Sequence, residues 1–349
     1  MSAPAAVAFW PHTTDWQVAS ARLRCREIVT GLNAAGLATA LYQPNGATPH
    51  VLVLSKRYDR ESLAHALGMR AAHGTRLVLD LCDNHFHNDH PTPLFIERAQ
   101  QLAQAVRQVD RVVAASLALA DAVRREVPDA PAIDVIGDLA ESRLQPPRRW
   151  RARIAARWQL WQLRRALRFD GVPVGRRLVW FGNHGSPNVD GGMQDLESIR
   201  SALEQHHHAA PLSLTVISNS RERFDAVTQG WPWPCHYLPW SSASFDDALA
   251  LHDVALIPVR LNPFTACKTA NRVATAAVHG LAVAADAIPA YEEFRSCIVL
   301  NDWHAGLARL MNDGEQRRAS VACAQAVLRA QYAPAIVTAR WRAVLESLV

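Results

Sequence analysis

Short apolar runs alternate with segments of helical period along nearly the whole of this chain, and few folds accept that alternation. The first series opens with the strand Val7-Ala-Phe-Trp10, followed by a helical stretch Ser20–Ala35 that Gly36 stops, and by strands Leu37–Tyr42 and His50–Ser55. Helix Arg60–His73, ended by Gly74, leads to strand Arg76–Leu81. Helix Thr92–Gln108, strand Arg111–Ala115, a helix capped by Ser116 and running to Glu126, and strand Ile133–Ile136 complete the series. The second series runs from strand Arg177–Phe181 through helix Gly192–Gln205, strand Leu212–Ser218, helix Arg221–Thr228, strand His236–Pro239 and helix Ser244–Leu251. It continues with strand Asp253–Pro258, a loop Arg260–Lys268, helix Thr269–His279 stopped by Gly280, and strand Leu281–Ala285. Runs this apolar belong to strands covered on both faces, so the spacing predicts two α/β halves, each a parallel sheet with right-handed crossovers.

A chain of 349 residues is long enough for two such domains. The expected boundaries are a first domain over 1–145, a linker helix over 146–170, a second domain over 171–330 and a closing helix over 331–349. No apolar run approaches the roughly 18 residues that span a bilayer, and the N-terminus has neither a basic start nor a long apolar core. The expected location is therefore cytoplasmic. Six scattered cysteines without a Cys-x-x-Cys predict reduced, mostly buried thiols rather than disulfides.

Open α/β sheets bind ligands beyond the carboxyl ends of their strands, so the loops there carry the candidate chemistry. Lys268, Asn271 and Arg272 stand where a loop enters a helix, a place that favours an anion through free N–H groups and the helix dipole. Phe181-Gly182-Asn183-His184-Gly185-Ser186 follows the first strand of the second half, and its glycines allow the backbone close to a phosphate or sugar. In the first half, Arg76–Leu81 opens into Cys82-Asp-Asn-His-Phe-His-Asn-Asp-His-Pro91, which places Asp83, His85 and His87 for ligand binding or proton transfer. Zinc held by Cys82, His85, His87 and His90 is the competing use of that loop, although the spacing fits no ordinary structural zinc pattern. His206-His-His208 is better read as a helix end favouring positive charge than as a metal site, because three consecutive residues do not share a helix face.

The net charge of +5 hides a concentration of nine arginines between Arg143 and Arg168. Within Arg148–Phe169 these interleave with Trp150, Ile154, Trp158, Trp161 and Leu163, which suits a basic amphipathic helix on an anionic membrane surface. Interdomain packing is the alternative. No recognition motif accompanies the charge, so nucleic acid is not an expected partner.

The segment Lys268-Thr-Ala-Asn-Arg-Val-Ala-Thr-Ala-Ala-Val-His-Gly-Leu-Ala-Val-Ala-Ala, followed by Ile288-Pro-Ala-Tyr-Glu-Glu-Phe294, resembles the donor-binding segment of GT-B glycosyltransferases, especially the family 4-like group. The resemblance implies two Rossmann-like domains facing a central cleft, acceptor in the first and nucleotide sugar in the second, with the closing helix returning to the first. It implies that Gly182, Asn183, His184, Trp240, Lys268, Asn271, Arg272, Tyr291 and Glu293 bind the donor, Trp240 lying where these enzymes hold the base. Asp83, His85 and Glu292 would be catalytic, Glu292 as the loop acid that meets sugar hydroxyls, and Ser20, Arg22, Asn84 and His87 would meet the acceptor. Ser20, Arg22 and Arg24 resemble the Ser-x-Arg-x-Arg opening of some sugar transferases.

Two departures stand out. Where the family has a Glu-x7-Glu pair this chain has Cys267 and Thr275, and where it has loop cations this chain has Asn183 and Gly191. More of the donor's charge then falls to Lys268 and Arg272. The implied activity is a retaining, metal-independent transfer from a nucleotide sugar to a glycan or lipid-linked acceptor in bacterial cell-surface polysaccharide synthesis. No cofactor is expected beyond the donor itself, and no Asp-x-Asp supports a metal-dependent route. A sugar-nucleotide epimerase, a polyol-phosphate transferase or a non-catalytic nucleotide-sugar-binding subunit would use the same phosphate site.

Overall fold

The computed structural model describes residues 6–141, 144–145 and 149–349 and divides into two compact units. Arg143 and Arg148 lie outside the described residues. Unit 1 joins the stretch ending at Leu139 to Asn262–Thr269 and Ala330–Val349, and unit 2 joins Ala140–Leu261 to Ala270–Arg329. The first boundary thus falls after Leu139 rather than after residue 145, and the loop expected to belong wholly to the second half contributes Asn262–Thr269 to unit 1.

Unit 1 holds a six-stranded parallel sheet of β1 (Val7–Pro11), β2 (Thr39–Leu41), β3 (Val51–Ser55), β4 (Arg76–Leu81), β5 (Arg111–Ala114) and β6 (Ile133–Val135), in the order β2-β1-β3-β4-β5-β6. Successive side chains leave a strand on opposite faces, so these apolar runs feed two cores. Ala8, Leu52, Leu54, Leu77 and Leu79 face one way, and Val7, Phe9, Val51, Val53 and Val78 face the other. The second core is closed by helix Glu27–Ala34 and by helix Pro334–Glu346, whose fully buried Trp341 meets the Phe9 ring edge-on at 5.4 Å. Gly31 is where those helices touch: a Cβ there would lie 2.4 Å from the Thr338 hydroxyl. Helix Arg60–His73 begins at Asp59, whose carboxylate accepts from the Ser62 N–H, and ends at Gly74 with φ of 71°.

Between β1 and helix Glu27–Ala34 the chain makes a π-helical turn, Arg22–Arg26, that carries Arg24 into the interior. Its guanidinium contacts Asp80 at 2.6 Å and Asp138 at 3.0 Å and donates to the Ile136 carbonyl; Ser55 Oγ donates to the other Asp80 oxygen at 2.7 Å. Burial opposes the charge on Arg24, yet Asp80 and Asp138 outweigh it and raise the pKa. Arg24 is thus a structural cation. Arg22, on the same turn, is also buried and donates to the carbonyls of Trp16 and Gln17, while Ser20 is half-buried.

Unit 2 repeats the plan with β7 (Arg177–Phe181), β8 (Ser213–Ser218), β9 (Cys235–Pro239), β10 (Val254–Ile257), β11 (Ala282–Ala285) and β12 (Val299–Leu300), ordered β12-β11-β10-β7-β8-β9 and all parallel. The expected helix Gly192–Gln205 is instead a 3-10 stretch, Gly192–Ile199, running into an α-helix, Arg200–Ala209. Strand β12 and helices Ala305–Asn312 and Gly314–Gln331 have no counterpart in the sequence reading.

Two expectations need correction. Helix Trp150–Phe169 is part of unit 2 rather than a separate linker, with Ala156, Leu160, Leu163 and Leu167 buried and the helix set against β9. Cys297 and Cys323 form a disulfide, because packing of helix Gly314–Gln331 brings their Cα atoms to 5.2 Å across a separation of 26 residues that no local spacing announces. Cys25, Cys82, Cys235 and Cys267 are free thiols. Among the described residues, no helix is long and apolar enough to cross a membrane.

Removing one partner of a buried ion pair leaves the other charge uncompensated. Arg24→Ala should therefore lower stability by about 3–5 kcal/mol in urea titration, and Arg24→Met combined with Asp80→Leu should recover most of that loss.

Candidate active-site clusters

In unit 2 the strand order reverses between β7 and β10, the position where an open α/β sheet accepts ligands. The loop leaving β7 folds tightly on itself: a Cβ on Gly192, where φ is 88°, would lie 2.7 Å from Gly185 Cα and from the His184 carbonyl. His184 is tied to Asn219, whose Oδ1 accepts from the His184 backbone at 3.0 Å and lies 2.9 Å from its Nδ1. Asn183 is exposed and accepts from the Gly185 N–H. Asp195 accepts from the Gly192 N–H, and burial raises its carboxyl pKa.

Arg272 lies beside this loop. It is the second residue of helix Asn271–Val278, and its guanidinium sits 4.9 Å from the centre of the Trp180 ring and 5.9 Å from that of Phe181. A Cβ on Gly182 would come within 3.6 Å of the guanidinium carbon. Nε and Nη2 are buried and find no hydrogen-bond partner among the described residues. Burial lowers the Arg272 pKa, while Tyr291 and Asp195 act against that shift. A cation with open donors at a helix start is prepared for an anion. Asn271, one residue earlier, accepts weakly from the Thr275 hydroxyl at 3.5 Å. Trp240 is half-buried, with its ring 6.2 Å from Phe245.

The two loop acids follow β11. Pro289–Phe294 winds as a 3-10 stretch, whose three-residue period sends Tyr291 and Phe294 inward and leaves Glu292 and Glu293 both exposed. Glu292 pairs with Arg295 at 2.6 and 2.7 Å, a hydrogen-bonded contact that lowers its pKa. Tyr291 is buried, and burial raises the pKa of its phenol.

Unit 1 carries a second cluster at the carboxyl ends of β3 and β4. Asp83 accepts from Lys56 Nζ at 2.5 Å through one oxygen and from Lys268 Nζ through the other. Burial would raise the Asp83 pKa, but Lys268 first and Lys56 next hold it well below the usual carboxylate range. Lys268 also lies 4.1 Å from the centre of the Phe264 ring. His85 bonds through Nδ1 to the Tyr58 hydroxyl, stacks on Phe264 at 6.4 Å, and keeps Nε2 3.9 Å from Asp83. Burial, despite Asp83, pushes the His85 pKa down to about 3, so the ring is neutral at pH 7. Asn84 is spent on structure: its Nδ2 donates to the Pro263 carbonyl and its Oδ1 accepts from Phe86 N–H. Ser116 Oγ donates to the Cys267 carbonyl at 2.7 Å, a second clasp on Asn262–Thr269. His87 sits 2.9 Å from Asp89.

Chemically, Asp83 is a fixed anion with both oxygens engaged. A general base works best with a pKa near the working pH, whereas the contacts of Asp83 with Lys56 and Lys268 suit it to holding the two lysines. The zinc set does not converge, since Cys82 contacts Asp83, His85 contacts Tyr58 and His87 contacts Asp89. Among the described residues, no group of three or more His, Cys, Asp or Glu side chains is placed to hold a metal ion. His206 is bonded to the Trp303 carbonyl and His207 packs on Trp233, far from the role of a joint metal site. Lys56, Tyr58 and Trp180 were missed from sequence. Lys56 was within reach of the same strand-end rule that found Asp83, whereas a Trp inside an apolar strand carries no signal beyond packing.

No family model and no curated protein matches this chain. Solved structures do. The sucrose-phosphate synthase of Thermosynechococcus elongatus is similar over 98% of both chains at 13% identity, with a TM-score of 0.69. HepE of Anabaena, solved with UDP and glucose, is similar over 99% of this chain and 100% of its own at 14% identity and a TM-score of 0.64. A UDP-forming alpha,alpha-trehalose-phosphate synthase of Burkholderia vietnamiensis covers 94% of this chain and 76% of its own at 14% identity and a TM-score of 0.56. The likeness is one of fold: two Rossmann-like domains, the GT-B class expected from the sequence.

The neutral burial of His85 gives a pH signature. Its folded pKa lies below the unfolded value near 6.5, so its contribution is complete above pH 6.5 and is lost as pH falls toward 3. Asp83, also depressed, begins to lose its contribution only as pH falls into the ordinary carboxylate range. Urea titrations at pH 6.5 and 5 should therefore show a drop that His85→Gln reduces by up to about 2 kcal/mol.

Proposed function

We propose that this chain is a glycosyltransferase of the GT-B kind, that unit 2 binds a nucleoside-diphosphate sugar, and that Arg272 receives the diphosphate. The observation that carries the reading is the Arg272 guanidinium, buried beside a glycine loop at the β7/β10 switch with two nitrogens unpartnered among the described residues. An orphaned buried donor costs about 1–3 kcal/mol, and an anion in that place removes the cost. The similarity to HepE, solved with UDP and glucose, and to a UDP-forming synthase supports a uridine-type donor.

Negative charge grows on the diphosphate as the glycosidic bond breaks, and fixed cations stabilise it without reorganisation at that moment. Arg272 is one such cation. Lys268, held by Asp83, is the second, and the two replace the loop cations that the related enzymes carry and this chain lacks. Cationic side chains in that role are what a metal-independent transfer requires, and we take the transfer to be retaining, as in the family 4-like enzymes. The acceptor we assign is a glycan or lipid-linked glycan of bacterial surface polysaccharide, in keeping with the same resemblance. Glu292 has no part in this reading, since Arg295 holds it at the surface.

Hydrogen bonds to charged groups contribute about 1.5–3 kcal/mol, so Arg272→Gln and Lys268→Ala should each weaken UDP binding roughly 10- to 150-fold by calorimetry. Unchanged affinity in Arg272→Gln removes the assignment. Incubation with a panel of nucleotide sugars, followed by mass spectrometry, should show slow donor hydrolysis that Arg272→Gln abolishes. Asp83→Asn separates the two roles considered for that residue: release of Lys268 lowers UDP affinity and turnover together, whereas loss of a proton acceptor lowers turnover alone. Replacing His206, His207 and His208 together by Ala should leave turnover near that of the parent.

A further inference from the structure

Helix Trp150–Phe169 packs on its own unit through one stripe and turns a second stripe outward. The inner stripe is Ala156, Leu160, Leu163 and Leu167. The outer one is Trp150, Ile154, Trp158, Trp161, Arg165 and Phe169, spaced i, i+4, i+8, i+11, i+15 and i+19, which is a single face of an α-helix. Its apolar members are open to solvent: Trp150 is 64% exposed, Ile154 58%, Trp158 57%, Trp161 48% and Phe169 75%. Packing within the fold accounts for the inner stripe and leaves the outer one unexplained, and a contiguous apolar row on the surface of a soluble domain marks an interaction site.

The charge says what kind of partner fits. The helix carries six arginines and no acid. Three of them lie against the exposed rings: Arg151 is 5.4 Å from the Trp150 ring, Arg165 5.8 Å from that of Trp161, and Arg168 5.8 Å from that of Phe169. Trp158 and Trp161 stack on each other at 4.9 Å. Indole rings with guanidinium groups at their edges suit the boundary between lipid headgroups and acyl chains, where the ring enters the apolar layer and the arginine stem carries its charge back to the phosphates.

We propose that this face docks on an anionic phospholipid surface, with the helix lying in the plane of the interface rather than crossing it. Apolar insertion and basic charge are then two signals on one element, the combination that stable peripheral attachment needs. A second copy of the chain fits the face poorly, because self-pairing would set arginine against arginine with no acid in either helix. Duplex nucleic acid accounts for the arginines and, with its bases already stacked, leaves the aromatic row without a role. The proposal stands apart from the donor reading, because none of these residues belongs to the Arg272 or Asp83 cluster.

The test is flotation of the full chain with vesicles of phosphatidylcholine alone and of phosphatidylcholine mixed with phosphatidylglycerol, at low and high salt. The protein should float with the anionic vesicles, remain behind with the neutral ones, and be released by salt. Each arginine near the surface contributes about fivefold to partitioning, so Arg164→Gln with Arg165→Gln should lower it roughly thirtyfold. Trp158→Ser with Trp161→Ser should lower it roughly tenfold or more, and both pairs, being exposed, should keep the parent's circular dichroism and melting temperature. Equal flotation with both vesicles, flotation with neither, or variants that float like the parent would overturn the proposal. So would a dimer in sedimentation equilibrium that Trp158→Ser with Trp161→Ser dissolves while vesicles go unbound, or retardation of duplex nucleic acid without vesicle binding.

Discussion

A guanidinium deprived of water must find its counter-charges within the protein, and much of unit 1 is arranged around that demand at Arg24. Its partners come from two further places in the sequence: Asp80 near the end of β4, and Asp138 with the Ile136 carbonyl just beyond β6. The desolvation of such a group is repaid only by close geometry and by filling the remaining hydrogen-bond positions, which Ser55 does for Asp80 and Thr269 for Asp138. The network therefore fixes where β3, β4 and β6 end. It is also an anchor for Asn262–Thr269, the segment that brings Lys268 to Asp83. The charged cluster around Asp83 thus shares its strand, β4, and the segment Asn262–Thr269 with a second, more deeply buried one.

How far the sequence could be read follows from which contacts are local. Strands such as β3 and β4 were legible because a parallel sheet demands unbroken apolar runs, and the helix starts at Asp59 and Ser116 because caps act within three residues. Helix Gly314–Gln331 was not legible: it buries only Ser320, Ala324 and Leu328, too thin a stripe to stand out. The Glu292–Arg295 pair was missed for a different reason, since the direction of Glu292 depends on whether its turn is α-helical or 3-10, and sequence does not separate the two.

Site residues divided along the same line. Asp83, His85, Lys268 and Arg272 could be named as candidates because each sits at the carboxyl end of a strand or the start of the helix after it. Their partners were not, since the contacts span long separations: Lys268 meets Asp83 across 185 residues, and Asn84 meets Pro263 across 179. Arg272 is a case in which the neighbour of a loop comes from another part of the sheet. The glycine loop after β7 has no cation, and the cation beside it comes instead from a helix one strand further along the sheet, whose Arg272 lies against Gly182.

The division of the chain bears on how it is made. Neither unit is a continuous stretch, since the backbone leaves unit 1 after Leu139, returns for Asn262–Thr269, and returns again at Ala330. Trp341, which fills the core against Phe9, is synthesised after every residue of unit 2. A nascent chain that has already formed β1 to β6 thus carries an unfilled apolar face over Val7, Phe9, Val51 and Val53 while all of unit 2 emerges. On the ribosome, the domain whose synthesis begins first is the one whose core is closed last.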